Sequence, residues 1–495
     1  MPSLLFEIGA PGRGSDFVRE SGPATQFLDK SALRADLPLP DLTELDVARH
    51  FTELSHRNFS VDTNFYPLGS CTMKYNPKLN EAVSGFAGFT DLHPFAPDAG
   101  AQGAIRLLWH MERTLASLFG MEAFSLMPAA GAHGEITAML MAKKYFKERG
   151  EHERLTCFVP DTAHGTNPAS AAMVGYKVIS IPSTPRGRTD LSALKAKLDG
   201  SVAVCMMTNP NTLGLFEDDI VEMTRAVHDA GGLMYYDGAN ANAIVGLTRP
   251  GDMGFDLMHL NLHKTFSVPH GGGGPGSGPV GASTRLAPYL PAPLAARDES
   301  GAYFWDHDRP KSIGAVRAFP AHFLAIVRAY AYIIVHGAEG LRRNSQLAVL
   351  NANYLRAKIK DVLTVPYSDY CRHEFVCSAE ELKKETGVRA LDLAKGLLDA
   401  GVHAPTMYWP HVVPECLMIE PTETENRHTL DAFVATLHSL VKLAHEDPAA
   451  VQQLPLHTPV RRVDEAQVGR LANKGIGLRW SPSGSGSESN GADKT

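Results

Sequence analysis

Between residues 100 and 264 two kinds of apolar run alternate, and that alternation constrains the fold more than any other feature of the chain. AIRLLWHMERTLASLFG, EITAMLMAKKYFKERG, DLSALKAKLDG and EDDIVEMTRAVHDAGG repeat their apolar residues at helical spacing. LTCFVP, KVISIP, VAVCMMT, LMYYD and DLMHLNLH are short runs that read as buried strands. Strands apolar on both faces and separated by helices predict an α/β architecture, a mostly parallel sheet covered on both sides. Ligands of such sheets collect beyond the carboxyl ends of the strands. Those ends carry small or polar residues: PAAGAHGE (128–135) running into a helix, DTAHGTNPAS after LTCFVP, NPNTLG after VAVCMMT, Asp237 after LMYY, and Lys264 after the last strand.

The rest of the chain sorts around this block. Residues 1–99 read as an amino-terminal arm followed by an irregular loop segment. The arm holds one helix, DLTELDVARHFTELSHRN, which Asp41 or Thr43 is placed to cap. The loop segment, 62–98, is rich in Gly, Pro and aromatics, a texture that suits a site or an interface. Residues 100–335 form the expected large α/β domain. Residues 336–460 read as a small α+β domain, with a long connecting helix, strands HEFVCS and CLMIEP, and two amphipathic helices. Residues 461–495 are an extension whose end, SPSGSGSESNGADKT, is expected to be disordered.

Composition excludes some partners. A net charge of −7 with no basic excess argues against nucleic acid. The start lacks the basic-then-apolar order of a secretory signal. The most apolar stretch, FLAIVRAYAYIIV, is broken by Arg328 and falls short of the ~20 residues of a membrane span, so it is expected to be a buried helix. The six cysteines form no C-x-x-C pattern, which fits reduced thiols and a cytoplasmic location; Cys157 and Cys205 read as small core residues.

Chemistry concentrates in HLNLHKTFSVPHGGGGPGSGPVG. A lysine at the end of a buried strand is either paired with a carboxylate or kept partly deprotonated, as Schiff-base chemistry requires. Asp237, at the end of another buried strand, supplies what a cationic ring nitrogen needs, and the pair points to pyridoxal 5'-phosphate. Gly131, Ala132 and His133 open a helix whose N–H groups suit a phosphate. His164 is a candidate to lie on the cofactor ring or to be a hydrogen-bonded loop histidine. Thr208 and Asn211 either bind the ring hydroxyl or substrate, or form a turn. His259 and His263 lack an acidic neighbour in sequence, so no metal is expected there. The glycine run opens no helix and has no Gly-Lys-Ser/Thr, which argues against a nucleotide loop.

NLHKTFSVPHGGGGPGSGPVG, PLGSCTMKYNP, AGAHGE, AHGTNPAS and LMIEPTETE together resemble the glycine dehydrogenase (decarboxylating) family, the P-protein of the glycine cleavage system, over about residues 45–430. The length is similar to that of the second subunit in the two-chain form. The resemblance implies an aspartate-aminotransferase-like (fold type I) enzyme that decarboxylates glycine and passes the aminomethyl group to the lipoyl arm of H-protein, alongside subunit 1, with two copies of each subunit. It implies catalytic roles for Lys264, Asp237 and His164. It implies cofactor contacts from Ala239, Gly131, Ala132, His133, Thr208, Asn211 and His263 as well. Arg372, His373 and the PLGSCTMK loop are candidates for the substrate carboxylate. Family members often have glutamine at the position of His133. Cys71 is either redox-sensitive or an ordinary thiol. The alternatives are another fold type I enzyme, a decarboxylase or lyase, and a non-catalytic partner subunit.

Overall fold

The computed structural model describes residues 3–14, 29–32, 39–270, 276–367 and 369–464. The expected disordered tail and the centre of the glycine run lie outside them. The chain divides into two compact units, Met1–Phe59 with Leu454–Thr495, and Ser60–Gln453. In the first unit the helix Glu44–His56 is capped by Thr43, whose Oγ1 accepts from Asp46 N while the Asp46 carboxylate accepts from Thr43 N. Asp41, the other candidate cap, instead accepts from Gly12 N at 3.0 Å.

The second unit is built on a seven-stranded sheet: β1 (Ala123–Ser125), β2 (Thr156–Pro160), β3 (Lys177–Ile181), β4 (Val202–Thr208), β5 (Leu233–Gly238), β6 (Leu257–Leu260) and β7 (Val280–Ala282). Their order is β1-β7-β6-β5-β4-β2-β3, and only β7 runs against its neighbours. The continuous apolar runs have a direct cause. Cys205 and Met207 of β4 enter one core while Val204 and Met206 enter the core on the opposite face. Cys157 and Cys205 are both buried in these cores.

Two features differ from the expectation. β7 was not anticipated, because three residues with a central glycine carry no strand pattern. Gly281 is needed there, since a Cβ would stand 2.5 Å from the Phe124 ring. The strand expected to run up to Lys264 stops at Leu260; Leu262–Thr265 is a single helical turn, with Lys264 N bonded to Asn261 O at 3.0 Å.

A hairpin, β8 (Leu294–Arg297) and β9 (Tyr303–Asp306), follows the sheet. Next comes the helix Phe323–Ile359, where the expected buried and connecting helices merge across a break at Gly337 (φ 58°, ψ −174°). Length and composition alone would let this helix cross a membrane. Ile326, Ala329, Ile333 and Leu341 instead pack into the core on one face of the sheet. A second sheet, β10 (Phe375–Ser378), β11 (Thr406–Met407) and β12 (Cys416–Ile419), is fully antiparallel; β11 packs with the helix Ala390–Asp399, which packs in turn on Arg427–Glu446.

One core carboxyl makes stability pH-dependent. Glu112, on the helix Gln102–Phe119, is pushed from 4.5 to about 8 by burial, against the opposing effect of the Ala295 N–H. Between those values the folded chain keeps a proton that the unfolded chain has released, so this group's contribution to stability falls as pH rises. Glu112→Gln is therefore expected to flatten the decline in melting temperature between pH 5 and 8. An unchanged slope in a pH series of thermal melts would contradict this.

Candidate active site

The carboxyl ends of β4, β5 and β6 bring Thr208, Asp237 and the turn carrying Lys264 to one edge of the sheet. Lys264 is half-buried, and among the described residues its Nζ has no hydrogen-bond or ion-pair partner. The paired-lysine reading applies to a different residue. Lys74 is fully enclosed and donates to Glu423 Oε1 (2.7 Å), Thr265 O (2.7 Å), Asn242 Oδ1 (2.9 Å) and the Tyr332 hydroxyl (3.3 Å).

Asp237 is 2% exposed. Its carboxylate accepts from Asn167 Nδ2 and Ala239 N, both at 2.9 Å, and lies 3.6 Å from His259 Nε2. Burial alone would raise its pKa; His259, these two hydrogen bonds and Lys264 outweigh it and hold the carboxyl below its ordinary value. Asn167 also bonds Glu135 Oε2 at 3.0 Å, and Glu135 is pushed up to about 8 by burial and then by Asp237. The shared proton thus sits on Glu135 and the charge on Asp237.

The remaining candidates fall into two groups. His164 lies edge-on to Trp409 at 5.5 Å, bonds Thr166 Oγ1 through Nδ1 at 2.8 Å, and feels the charges of both Asp237 and Lys264. His263 is linked to His259 through Asn261, and burial drives its pKa down to about 3. Asn211 is engaged elsewhere. Its Oδ1 accepts from Leu213 N and Leu215 N and its Nδ2 donates to Gly187 O and Glu217, so the side chain is spent on the turn it occupies. Arg372 lies over Phe216, 5.4 Å from the ring centre.

Gly131, Ala132 and His133 open the helix Gly131–Glu148, which has no side-chain cap. Its first N–H groups are therefore available to an anion. A Cβ on Gly131 would come within 2.5 Å of Asn261 Nδ2, so glycine lets this terminus approach the turn before Lys264. Arg317 lies close enough to depress His133, and its Nη1 is buried with no acceptor among the described residues. Thr208 Oγ1, Asn167 Oδ1, Thr265 Oγ1 and Ser277 Oγ are likewise buried without described partners. Each such atom costs about 1–3 kcal/mol unless something bonds it, and four near one sheet edge mark a ligand site. The set, a free lysine, an ionised aspartate, a helix N-terminus with a free arginine, and unsatisfied hydroxyls, fits an anionic, ring-bearing carbonyl cofactor.

The chain is similar to known proteins over nearly its whole length. The glycine cleavage system P-protein family model matches residues 16–303, and the glycine dehydrogenase C-terminal domain model matches residues 344–454. The chain belongs to the glycine cleavage system P-protein family. A probable glycine dehydrogenase (decarboxylating) subunit 2 of Caldanaerobacter subterraneus subsp. tengcongensis is 53% identical over 483 residues, covering 97% of this chain and 98% of that one. The protein of the same description from Thermotoga maritima is 51% identical, covering 96% and 99%. The crystal structure of a glycine decarboxylase (P-protein) in inhibitor-bound form shares the fold, with a TM-score of 0.71 at 21% identity over 84% of this chain and 94% of that one. A Burkholderia pseudomallei sphingosine-1-phosphate lyase shares it at 0.63 and 13% over 90% and 98%. The fold is thus the expected aspartate-aminotransferase type. A different fold type I activity and a purely structural role are not favoured by relatives this similar over nearly the whole chain.

Sequence reasoning missed Asn167, Glu135, Lys74, Arg317, Glu374 and Glu420. Four of them stood inside quoted motifs, Glu135 in AGAHGE, Asn167 in AHGTNPAS, Lys74 in PLGSCTMK and Glu420 in LMIEPTETE, but nothing local shows what they touch.

Proposed function

We propose that this P-protein family member decarboxylates glycine with pyridoxal 5'-phosphate and transfers the remaining aminomethyl group to the lipoyl arm of H-protein. The observation that supports this most is a Lys264 with no partner among the described residues, at the same sheet edge as an ionised Asp237, in a chain of this family. Lys264 would hold the cofactor, Asp237 would face its ring nitrogen, and His164 would lie against the ring. Ala239 shapes that contact by fixing the Asp237 carboxylate through its N–H. The N-terminus at Gly131, Ala132 and His133, with Arg317, would take the phosphate, and Thr208 and His263 the remaining polar edge.

When bound, the cofactor supplies an electron sink for the pair left behind as the carboxylate departs as carbon dioxide. The chain's part is electrostatic and geometric. Asn167 and the Ala239 N–H keep the Asp237 charge in place, and Glu135 takes the proton that two neighbouring carboxylates must share. His259 stays neutral because burial outweighs the pull of Asp237.

The partners follow from the two-chain form. The relatives are named subunit 2. This chain would therefore work with a subunit 1, as two copies of each, in the cytoplasm, where its six free thiols stay reduced.

The test is exchange of labelled bicarbonate into the glycine carboxyl by the purified chain, with subunit 1 and lipoylated H-protein present or omitted. Exchange is expected only in the complete mixture. A chain that carries the cofactor chromophore yet shows no exchange in that mixture would refute the reading.

A further inference from the structure

Residues 67–74 are held by two acids that the reading above does not use. Ser70 N donates to Glu374 Oε2 at 2.7 Å; Thr72 donates to Glu420 through N (3.0 Å) and Oγ1 (2.6 Å). Ser70 and Thr72 both sit in the left-handed region, with φ of 63° and 49°, a conformation that costs energy in residues other than glycine. The hydrogen bonds to the two acids hold it. Asn240, three residues beyond Asp237, donates to Glu374 Oε1 at 3.1 Å. At the other end of the loop, Lys74 grips Thr265 O, next to Lys264. The loop therefore ties the acids to both flanks of the candidate site.

Among the described residues neither acid has a cation paired with it. Glu374, Glu420 and the adjacent His373 are completely buried. No described lysine or arginine pairs with either carboxylate; Lys74 is paired with Glu423. His373 Nε2 stands 3.9 Å from Glu374 Oε1 and 3.8 Å from Glu420 Oε1, beyond hydrogen-bond range. Burial, then Lys264 and Lys74, drive that imidazole down to about 3, so it is neutral. The two carboxylates have oxygens within 4.8 Å of each other, and two unpaired carboxylates this close cannot both stay charged in a dry interior.

We propose that Glu374 and Glu420 share one proton and act as a single buried acid, whose one remaining negative charge acts on the Lys264 end of the candidate site. Burial and then the Glu420 charge push Glu374 up strongly, while burial brings Glu420 to about 7. Both feel Lys264 as a favourable charge. The other titratable groups that feel the same amine are Asp237, His164, His259, His263, His270, His373 and Cys71. Burial holds the five histidines low and the Cys71 thiol high, so all six are neutral. Asp237 and the acid pair are then the only negative charges on Lys264 among these groups. The two acids are positioning residues: they hold the loop and set the charge around the lysine.

The inference rests on Lys264 as the cofactor lysine. It is tested by following the visible absorbance of the loaded chain, with subunit 1 present, against pH. Either single variant, Glu374→Gln or Glu420→Gln, leaves the other carboxylate to carry the charge, so the titration midpoint is expected to move little. The double variant removes the charge, and its midpoint is expected to fall by about one pH unit or more. A double variant that titrates like the wild type would overturn the proposal, as would single variants that each shift as far as the double.

Infrared difference spectra need only the single variants, so they serve if the double does not fold. Wild type minus either variant is expected to show the C=O band of one protonated carboxyl. Loss of a carboxylate band alone would mean two charges and overturn the proposal. One metal ion per chain, lost in either variant, would also overturn it. Failure of the underlying reading looks different: the visible band would survive Lys264→Ala, while the infrared bands would still report on the pair.

Discussion

Lys264→Ala is expected to abolish bicarbonate exchange, by at least about 10³-fold, and to remove the visible absorbance of the loaded chain. The same substitution is expected to cost the fold little stability. Nζ of Lys264 makes no hydrogen bond or ion pair among the described residues, so deleting it leaves no hydrogen-bonded partner unsatisfied; the favourable charge that Asp237, Glu374 and Glu420 feel from it is lost, against the relief of a half-buried ammonium. Thermal melts of the unloaded chain, read beside the exchange assay, separate the two effects. A large loss of stability would mean that Lys264 is a structural lysine, and retained exchange would remove it from the reaction.

The sheet was legible because strands buried on both faces cannot hide their composition. VAVCMM and LMYY are apolar throughout, and each became a central strand. Asp237 and Lys264 stood out as candidates for the same reason, since each follows an apolar run, and the structure brings both to one edge of the sheet. What was not legible is whatever depends on pairing across long stretches of chain. The Thr72–Glu420 contact joins residues 348 apart, and Ser70–Glu374 joins residues 304 apart. Neither periodicity nor local motif grammar carries such information.

The local misreadings have local causes. Lys264 sits in a helical turn because Asn261 O takes the N–H groups of Lys264 and Thr265, ending the ladder one residue earlier. Asn211 is a different case: of its two readings, binding or turn, the four hydrogen bonds to Gly187, Leu213, Leu215 and Glu217 support the turn. The second lysine shows the limit most clearly. Lys74 sits in PLGSCTMK, a motif that drew attention for chemistry, yet it carries the dense network of bonds that a structural lysine has.

Lys74→Met is accordingly expected to act in the opposite way to Lys264→Ala. The ammonium and the Glu423 carboxylate are 1% and 4% exposed at their side chains, 2.7 Å apart, and Lys74 raises no unmet demand of its own. Burial would depress Lys74 and raise Glu423, but each holds the other in its charged form. Removing the cation leaves a buried carboxylate with Asn242 Nδ2 and the Tyr332 hydroxyl as its remaining side-chain donors, and leaves Thr265 O without its Nζ donor. Breaking a buried pair from one side typically costs about 3–5 kcal/mol. Denaturant unfolding of the chain should show a loss of that order. Adding Glu423→Leu should recover part of it, because the orphaned charge goes too. If Lys74→Met unfolds like the wild type, or if the second substitution only adds to the damage, the pair is not the clamp that joins the 67–74 loop to the turn of Lys264.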